Sequence, residues 1–241
     1  MKEDSVLLAL KQDGFRIGDC EVMLYDRSRT DVFPPGYLTK LWQLCKDSGR
    51  RSPLGILPSL FCGMTDLSHD AITTYLATRP VIIAGIWIGP EEFKEAGIGF
   101  PSTLPVIGNK TGPERALFAG YGLFKEVWGR PEAEILGMLG LAYFFVQFDV
   151  TAIHGLRYPS NGLTARFTRT FGFRENGLIP RYMMQGDKLV GAVSSTLFIE
   201  DFEQYVEQKL VRLYKDGELN GRKLEGRISG SEPGSNSGGV E

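Results

Sequence analysis

Three cysteines and two histidines among 241 residues leave little material for a disulfide framework or a metal centre. Cys20, Cys45 and Cys62 are odd in number and widely spaced, and no secretory signal precedes them. A reducing cytoplasm is therefore the expected location. No cluster of His, Cys and carboxylates has metal-ligand spacing, so no metal is expected, and no G-x-S-x-G nucleophile turn is present. Long hydrophobic runs are also missing. The most apolar segment, Ile135 to Val146, is too short to cross a bilayer and reads as a buried helix. With a formal net charge of −2 the chain has no excess of either sign, which argues against wholesale attraction to nucleic acid or acidic membranes.

What is present is an ordinary globular composition, 42% hydrophobic, enough for one core with an N-terminal elaboration. The chain divides into a folded unit over residues 1–215 and a tail over 216–241. The tail holds seven glycines in 26 residues and no aromatic, a composition that cannot bury a core and predicts disorder.

Periodicity places the elements. A short helix is expected near Ser5 to Lys11 and a strand near Glu21 to Tyr25. Leu38, Leu41, Trp42 and Cys45 fall at helical spacing after Pro34-Pro35, and Asp66 and Ser68 are capping candidates ahead of a further short helix. Ser52 to Met64 mixes Pro, Gly and apolar residues without a period and fits either a connector or a pocket lining. From Pro80 the β-branched run Val-Ile-Ile-Ala-Gly-Ile-Trp-Ile opens a meander, with strands expected at Ala96 to Phe100 and Ala116 to Phe124. Between the last two, Pro101 to Pro113 reads as a long loop, either a lid or a plain connector. Beyond Gly172 come a hairpin, Leu178 to Met184 and Leu189 to Ile199 around a turn at 185–188, and an amphipathic helix opened by Glu200 and Asp201.

Two segments carry the functional signal. The first is Tyr121-Gly-Leu-Phe-Lys-Glu-Val-Trp128-Gly129-Arg130-Pro131-Glu132-Ala133, in which a glycine turn leads from a strand into the helix of Glu134 to Val146. A helix start of this kind offers unpaired N–H groups and a positive dipole end to an anion. Pro131 suits the first helical position but has no N–H to give. The second is Asn161-Gly-Leu-Thr-Ala-Arg-Phe-Thr-Arg-Thr-Phe-Gly172-Phe173, an amphipathic helix with Leu163, Phe167 and Phe171 on one stripe and a terminating glycine. Gly137 and Gly140, inside the long helix, are expected to permit close packing on the sheet.

In this order, strand, glycine turn, helix, strand (Val150 to Gly155) and second helix, the two segments resemble the core of the GNAT acetyltransferase superfamily. The resemblance covers about residues 80–200 and is strongest from Tyr121 to Phe173. It implies an α/β (α+β) fold with a twisted, mixed but mostly antiparallel sheet flanked by helices, here carrying an N-terminal extension. It also implies acyl transfer from acetyl-CoA to an amine on a small molecule or a peptide. The cofactor would be met by Phe124, Val127, Trp128, Gly129, Arg130, Glu132, Ala133, Asn161, Thr164 and Phe167, with a backbone N–H near Phe124 polarising the thioester carbonyl. Where such enzymes often have a glycine this chain has Pro131, and where they often have an acidic tyrosine it has Thr168. Two alternatives follow: a catalytically silent binding protein of the same fold, or an acyltransferase for a longer acyl thioester lodged against Ser52 to Met64.

Of the two histidines, His154 lies on the strand after the long helix and is the candidate general base, a packing residue being the alternative. His69 reads as a helix-start residue. Tyr158, Tyr121 and Tyr182 are the phenols that could stand in for the missing acid at Thr168. Arg157, Arg166, Arg169, Arg174 and Arg181 against the single acid Glu175 could meet the 3′-phosphate of CoA, an acidic acceptor or nucleic-acid phosphates, or form a solvated helix face.

Overall fold

The computed structural model describes residues 5–48, 54–61, 64–102, 115–185 and 188–215. Most of the Pro101 to Pro113 loop, the middle two residues of the turn expected at 185–188 and the glycine-rich tail lie outside these residues. The helices are α1 Val6–Gln12, α2 Tyr37–Asp47, α3 Leu57–Leu60, α4 His69–Ala77, α5 Pro131–Gln147, α6 Gly162–Thr170 and α7 Ile199–Lys215. The strands are β1 Arg16–Ile17, β2 Cys20–Leu24, β3 Ile82–Ile88, β4 Glu92–Pro101, β5 Ala116–Leu123, β6 Ala152–Arg157, β7 Arg174–Gln185 and β8 Lys188–Phe198.

All eight strands join one sheet in the order β1-β2-β3-β4-β5-β6-β8-β7. Every neighbouring pair is antiparallel except β5 and β6. That pair is linked by α5 as a crossover, since parallel strands cannot be joined by a tight turn.

Alternation along the strands sends their side chains to two cores. On one face α1, α5 and α7 cover Ile82, Ala84, Leu123, Ile153 and Leu197. On the other, α2, α3 and α4 cover Ile83, Ile98 and Phe100. Helix α5 is buried from Leu136 to Val146, which is why its sequence is apolar around its circumference. Its two glycines serve different neighbours. A Cβ on Gly140 would lie 2.4 Å from the Tyr121 ring, on the sheet, whereas one on Gly137 would lie 2.6 Å from Phe171 and 2.8 Å from Phe167, both in α6 or its C-terminal cap. Close packing on the sheet thus accounts for Gly140 alone, and Gly137 brings α6 against α5.

Local signals set the helix ends. Ser68 Oγ accepts the Ala71 N–H at the start of α4, and Ser5 caps α1 while also bonding Glu203 of α7. Helix α6 ends as its glycine predicts: Gly172 adopts φ +86°, Phe173 N–H returns to Thr168 C=O at 3.0 Å and Gly172 N–H to Arg169 C=O at 3.2 Å. No helix among the described residues is long and apolar enough to cross a membrane.

Candidate functional site

Strands β5 and β6 pair over only three rungs, Ala116 to Phe118 against Ala152 to His154, and then part. β5 stays paired to β4 as far as Leu123, and β6 stays paired to β8 as far as Arg157. The facing edges beyond Phe118 and His154 therefore form a wedge whose peptide groups have no partner strand among the described residues. Phe118 C=O accepts Ser102 N–H at 2.7 Å and Phe124 N–H donates to Ala96 C=O at 2.7 Å, so both turn toward β4. By strand alternation, Ala119, Tyr121 and Leu123 turn their peptide groups into the wedge. The Leu123 carbonyl is met there by the Trp128 indole N–H at 2.8 Å. On the opposite edge Ala152 N–H reaches back to Arg115 C=O, which puts the peptide groups of His154 and Leu156 on the wedge side. The Phe124 N–H is thus committed to the sheet and its side chain is fully buried. Ala119, Tyr121 and Leu123, the last next to Phe124, supply the N–H groups that face the wedge.

The wide end of the wedge leads to the turn before α5. Val127 packs in the core, Trp128 is half-buried, and Gly129 turns the chain with φ +81°. Arg130 is the N-terminal cap residue of α5 but makes no side-chain cap bond. Its guanidinium instead grips Glu132, with Nη2 donating to Oε1 at 2.6 Å and Nε to Oε2 at 3.3 Å. Glu134, one turn into the helix, accepts Tyr205 O–H at 2.6 Å and Lys209 Nζ at 3.0 Å, tying α5 to α7.

Asn161 caps α6, its Oδ1 accepting Thr164 N–H at 3.1 Å and leaving its Nδ2 for another partner. Of the stripe expected on α6, Phe167 and Phe171 pack together with ring centroids 4.7 Å apart, but Leu163 is half exposed.

His154 stands on the last rung of the pairing, on the sheet face opposite α5. Its Nδ1 lies 2.8 Å from Thr196 Oγ1, which in turn accepts Asn176 Nδ2 at 2.8 Å. The Phe118 ring lies 5.2 Å away between centroids. Burial pushes the imidazole below its ordinary pKa, because the charged form is poorly solvated there. Thr196 and Asn176 are separated from His154 along the chain, and no local pattern marks them in the sequence.

The other acid candidates fare differently. Thr168 Oγ1 donates to Thr164 C=O at 2.9 Å, so its hydroxyl is folded back on its own helix. Tyr121 O–H donates to Leu136 C=O at 2.7 Å, and burial raises it far above the ordinary phenol range. It is a packing residue under α5. Tyr182 is exposed on β7, beside Met183, which pairs with Val190, six residues along β8 from Thr196. That is about 20 Å of strand. Tyr158 lies on the loop between β6 and α6, buried with Leu156, Met183 and Ala192. His69 starts α4, bonded to Thr39 and Asp70.

The five arginines do not converge. Arg157 pairs with Glu175 at 2.6 Å, Arg169 Nε donates to Ala165 C=O at 3.0 Å, and Arg174 pairs with Asp201 at 2.6 Å, whereas Arg166 and Arg181 are exposed. The described part of Ser52 to Met64 is packed rather than hollow: Leu60 and Ile56 lie where a Cβ on Gly122 would meet them at 3.2 and 3.3 Å. Among the described residues no group of three or more His, Cys, Asp or Glu could hold a metal ion.

No protein-family model matches the sequence, and no curated protein matches it. Solved structures do match. The ribosomal-protein-S5-alanine acetyltransferase of Vibrio fischeri is 16% identical, with a TM-score of 0.52 over 78% of this chain and 97% of its own. Spermidine N-acetyltransferase from Vibrio cholerae, solved with CoA and spermine, is 13% identical with a TM-score of 0.56, over 76% and 98%. RimJ of Mycobacterium smegmatis, solved with CoA-disulfide, is 19% identical with a TM-score of 0.54, over 83% and 92%. The chain thus shares its fold with these acetyltransferases: its described residues form an eight-stranded, mostly antiparallel sheet opened at one parallel pair and flanked by seven helices.

Proposed function

We propose that this chain is an acyl-CoA-dependent N-acyltransferase that moves an acetyl group to an amine. The observation that carries the reading is the wedge between β5 and β6, whose unpaired peptide groups end at the N-terminus of α5. A pantetheine arm carries two amides and can pair with such edges as a short third strand, while a helix start receives phosphate. The residues fit that group: Tyr121 and Leu123 offer N–H donors, Leu156 faces them, Asn161 Nδ2 stands at the start of α6, and Gly129 lets the backbone approach closely. When bound, acetyl-CoA supplies an acyl group activated as a thioester and a thiolate leaving group.

His154 takes the proton from the incoming ammonium. In the tautomer whose Nδ1–H donates to Thr196 Oγ1, the Nε2 lone pair is available, and the lowered pKa keeps the ring neutral near neutral pH. Asn176 fixes the Thr196 hydroxyl and so the ring's orientation. The neutral amine then attacks, and a wedge N–H of Tyr121 or Leu123 stabilises the oxyanion. Tyr158 is the candidate that returns a proton to the departing thiolate. Ile56 and Leu60, packed over the β5 glycines, favour a short acyl group over a long one. The acceptor class is a small-molecule or peptide amine, in keeping with a neighbour solved with spermine and another described as an L7/L12 alpha-N-protein acetyltransferase.

A second reading, a silent binding protein, draws support from Pro131 and from the self-bonded Thr168 hydroxyl. A screen for thiol release from acetyl-CoA across polyamines, amino acids, aminoglycosides and peptide N-termini separates the two. Release with one acceptor class supports the enzyme. CoA binding without release from any amine selects the silent protein.

A further inference from the structure

The turn that would receive the diphosphate of the donor is poor in free positive groups. From Phe124 to Leu136 the chain has two cations, Lys125 and Arg130, against three carboxylates, Glu126, Glu132 and Glu134. Trp128, Arg130 and Ala133 spend their N–H groups on Lys125, Val127 and Arg130 carbonyls within the turn. Pro131 has no N–H. Gly129 is left, since Glu132 turns its own N–H onto its carboxylate. Arg130 is already held in a two-point grip by Glu132, whose carboxyl is drawn below its usual pKa first by Arg130 and then by its own backbone N–H. Asp19 adds a further carboxylate beside Glu132, around a cavity of about 190 Å³ that also takes in Cys20 and Ile135. The positive end of α5 is therefore answered from within the chain, and a second negative group must compete for it.

We infer that Glu132 is a specificity-determining residue for the thioester donor: by holding Arg130 at the start of α5 it removes the advantage of a diphosphate, so that thioesters of 4′-phosphopantetheine are accepted about as well as those of CoA. The inference rests on the donor site proposed above and narrows its donor class. Affinity then comes from the pantetheine arm in the wedge, and the single phosphate costs little where two would meet the Glu132 carboxylate.

Calorimetry on the full chain and on Glu132→Gln, with CoA, 4′-phosphopantetheine, pantetheine and inorganic pyrophosphate as probes, tests this. Glu132 is partly exposed, so Glu132→Gln should fold, which an unchanged melting temperature verifies. In the parent chain, CoA and 4′-phosphopantetheine should agree in affinity within about threefold, and pyrophosphate should not displace CoA. In Glu132→Gln, CoA should bind about twofold to fivefold tighter, the scale of one screened charge contact, with pantetheine unchanged. A parent chain that prefers CoA by about thirtyfold or more, or a Glu132→Gln variant with parental CoA affinity, overturns the inference while leaving the donor site standing. Failure of pantetheine, 4′-phosphopantetheine and CoA alike to bind removes the donor site itself.

Discussion

Phe118 and His154 face each other across the last parallel rung between β5 and β6, their rings 5.2 Å apart, at the point where the sheet opens. A base at the apex of the wedge meets whatever the wedge holds at its narrow end. If His154 is that base, His154→Gln should lower turnover about 10²–10⁴-fold with CoA affinity retained. Parental turnover in the variant removes His154 from the mechanism and leaves the fold assignment untouched.

The same residue fixes a pH dependence. Burial lowers the His154 pKa, so the competent neutral form is already dominant below the ordinary histidine value of about 6.5. The rate should rise as pH increases through that lowered pKa and level off above it. Thr196→Val removes the partner of Nδ1 and should reduce kcat more than KM, a split that a purely structural role for Thr196 would not give. The pH–rate profile and the two kinetic constants read these effects.

At the wide end of the wedge, Gly129 sits at φ +81° with open space around it. Gly129→Val is strained there by backbone conformation rather than by a clash, and its side chain bars approach to the turn. CoA affinity should fall at least about tenfold. Asn161→Ala forfeits the cap of α6, with a cost of about 1 kcal/mol in stability, together with whatever bond Nδ2 makes to the donor. Denaturation and calorimetry separate these two losses, and calorimetry showing both variants binding CoA like the parent refutes the donor site.

Tyr158→Phe should mainly slow departure of the thiolate. The effect should shrink with an acyl donor whose leaving thiol is more acidic, as read by single-turnover kinetics. An equal loss with every donor assigns Tyr158 to packing with Met183 and Ala192 instead.

Packing yields a prediction independent of function. Gly140→Ala would place a methyl 2.4 Å from the Tyr121 ring, whose hydroxyl is anchored to Leu136 C=O, so the ring cannot step aside without breaking that bond. A loss of about 1–3 kcal/mol is expected in chemical denaturation, against a gain of up to about 1 kcal/mol for the same change in an exposed helix. A stabilised variant contradicts the close approach of α5 to β5.

The sequence by itself determined most of the elements, because those signals are local, but it did not mark β1, nor α3 within the aperiodic Ser52 to Met64 segment, and it began β4 and β7 four residues late. Ser68, Gly129, Asn161 and Gly172 each act on backbone groups within a few residues, and all four stand where helices begin or stop or where the chain turns into one. The β-branched run of β3, and the apolar circumference of α5, follow from burial that any partner would satisfy. What only the tertiary structure decided depends on which edges and faces meet. The three-rung pairing of β5 with β6 directs Tyr121 and Leu123, rather than Phe124, toward the wedge, and it brings Thr196 and Asn176 to His154 across strands far apart in the chain. Proximity to α6 rather than to the sheet gave Gly137 its role. The arginines that look like one cluster in sequence were divided among Glu175, Asp201, a helix carbonyl and solvent, because an ion pair depends on distance in space and not on separation along the chain.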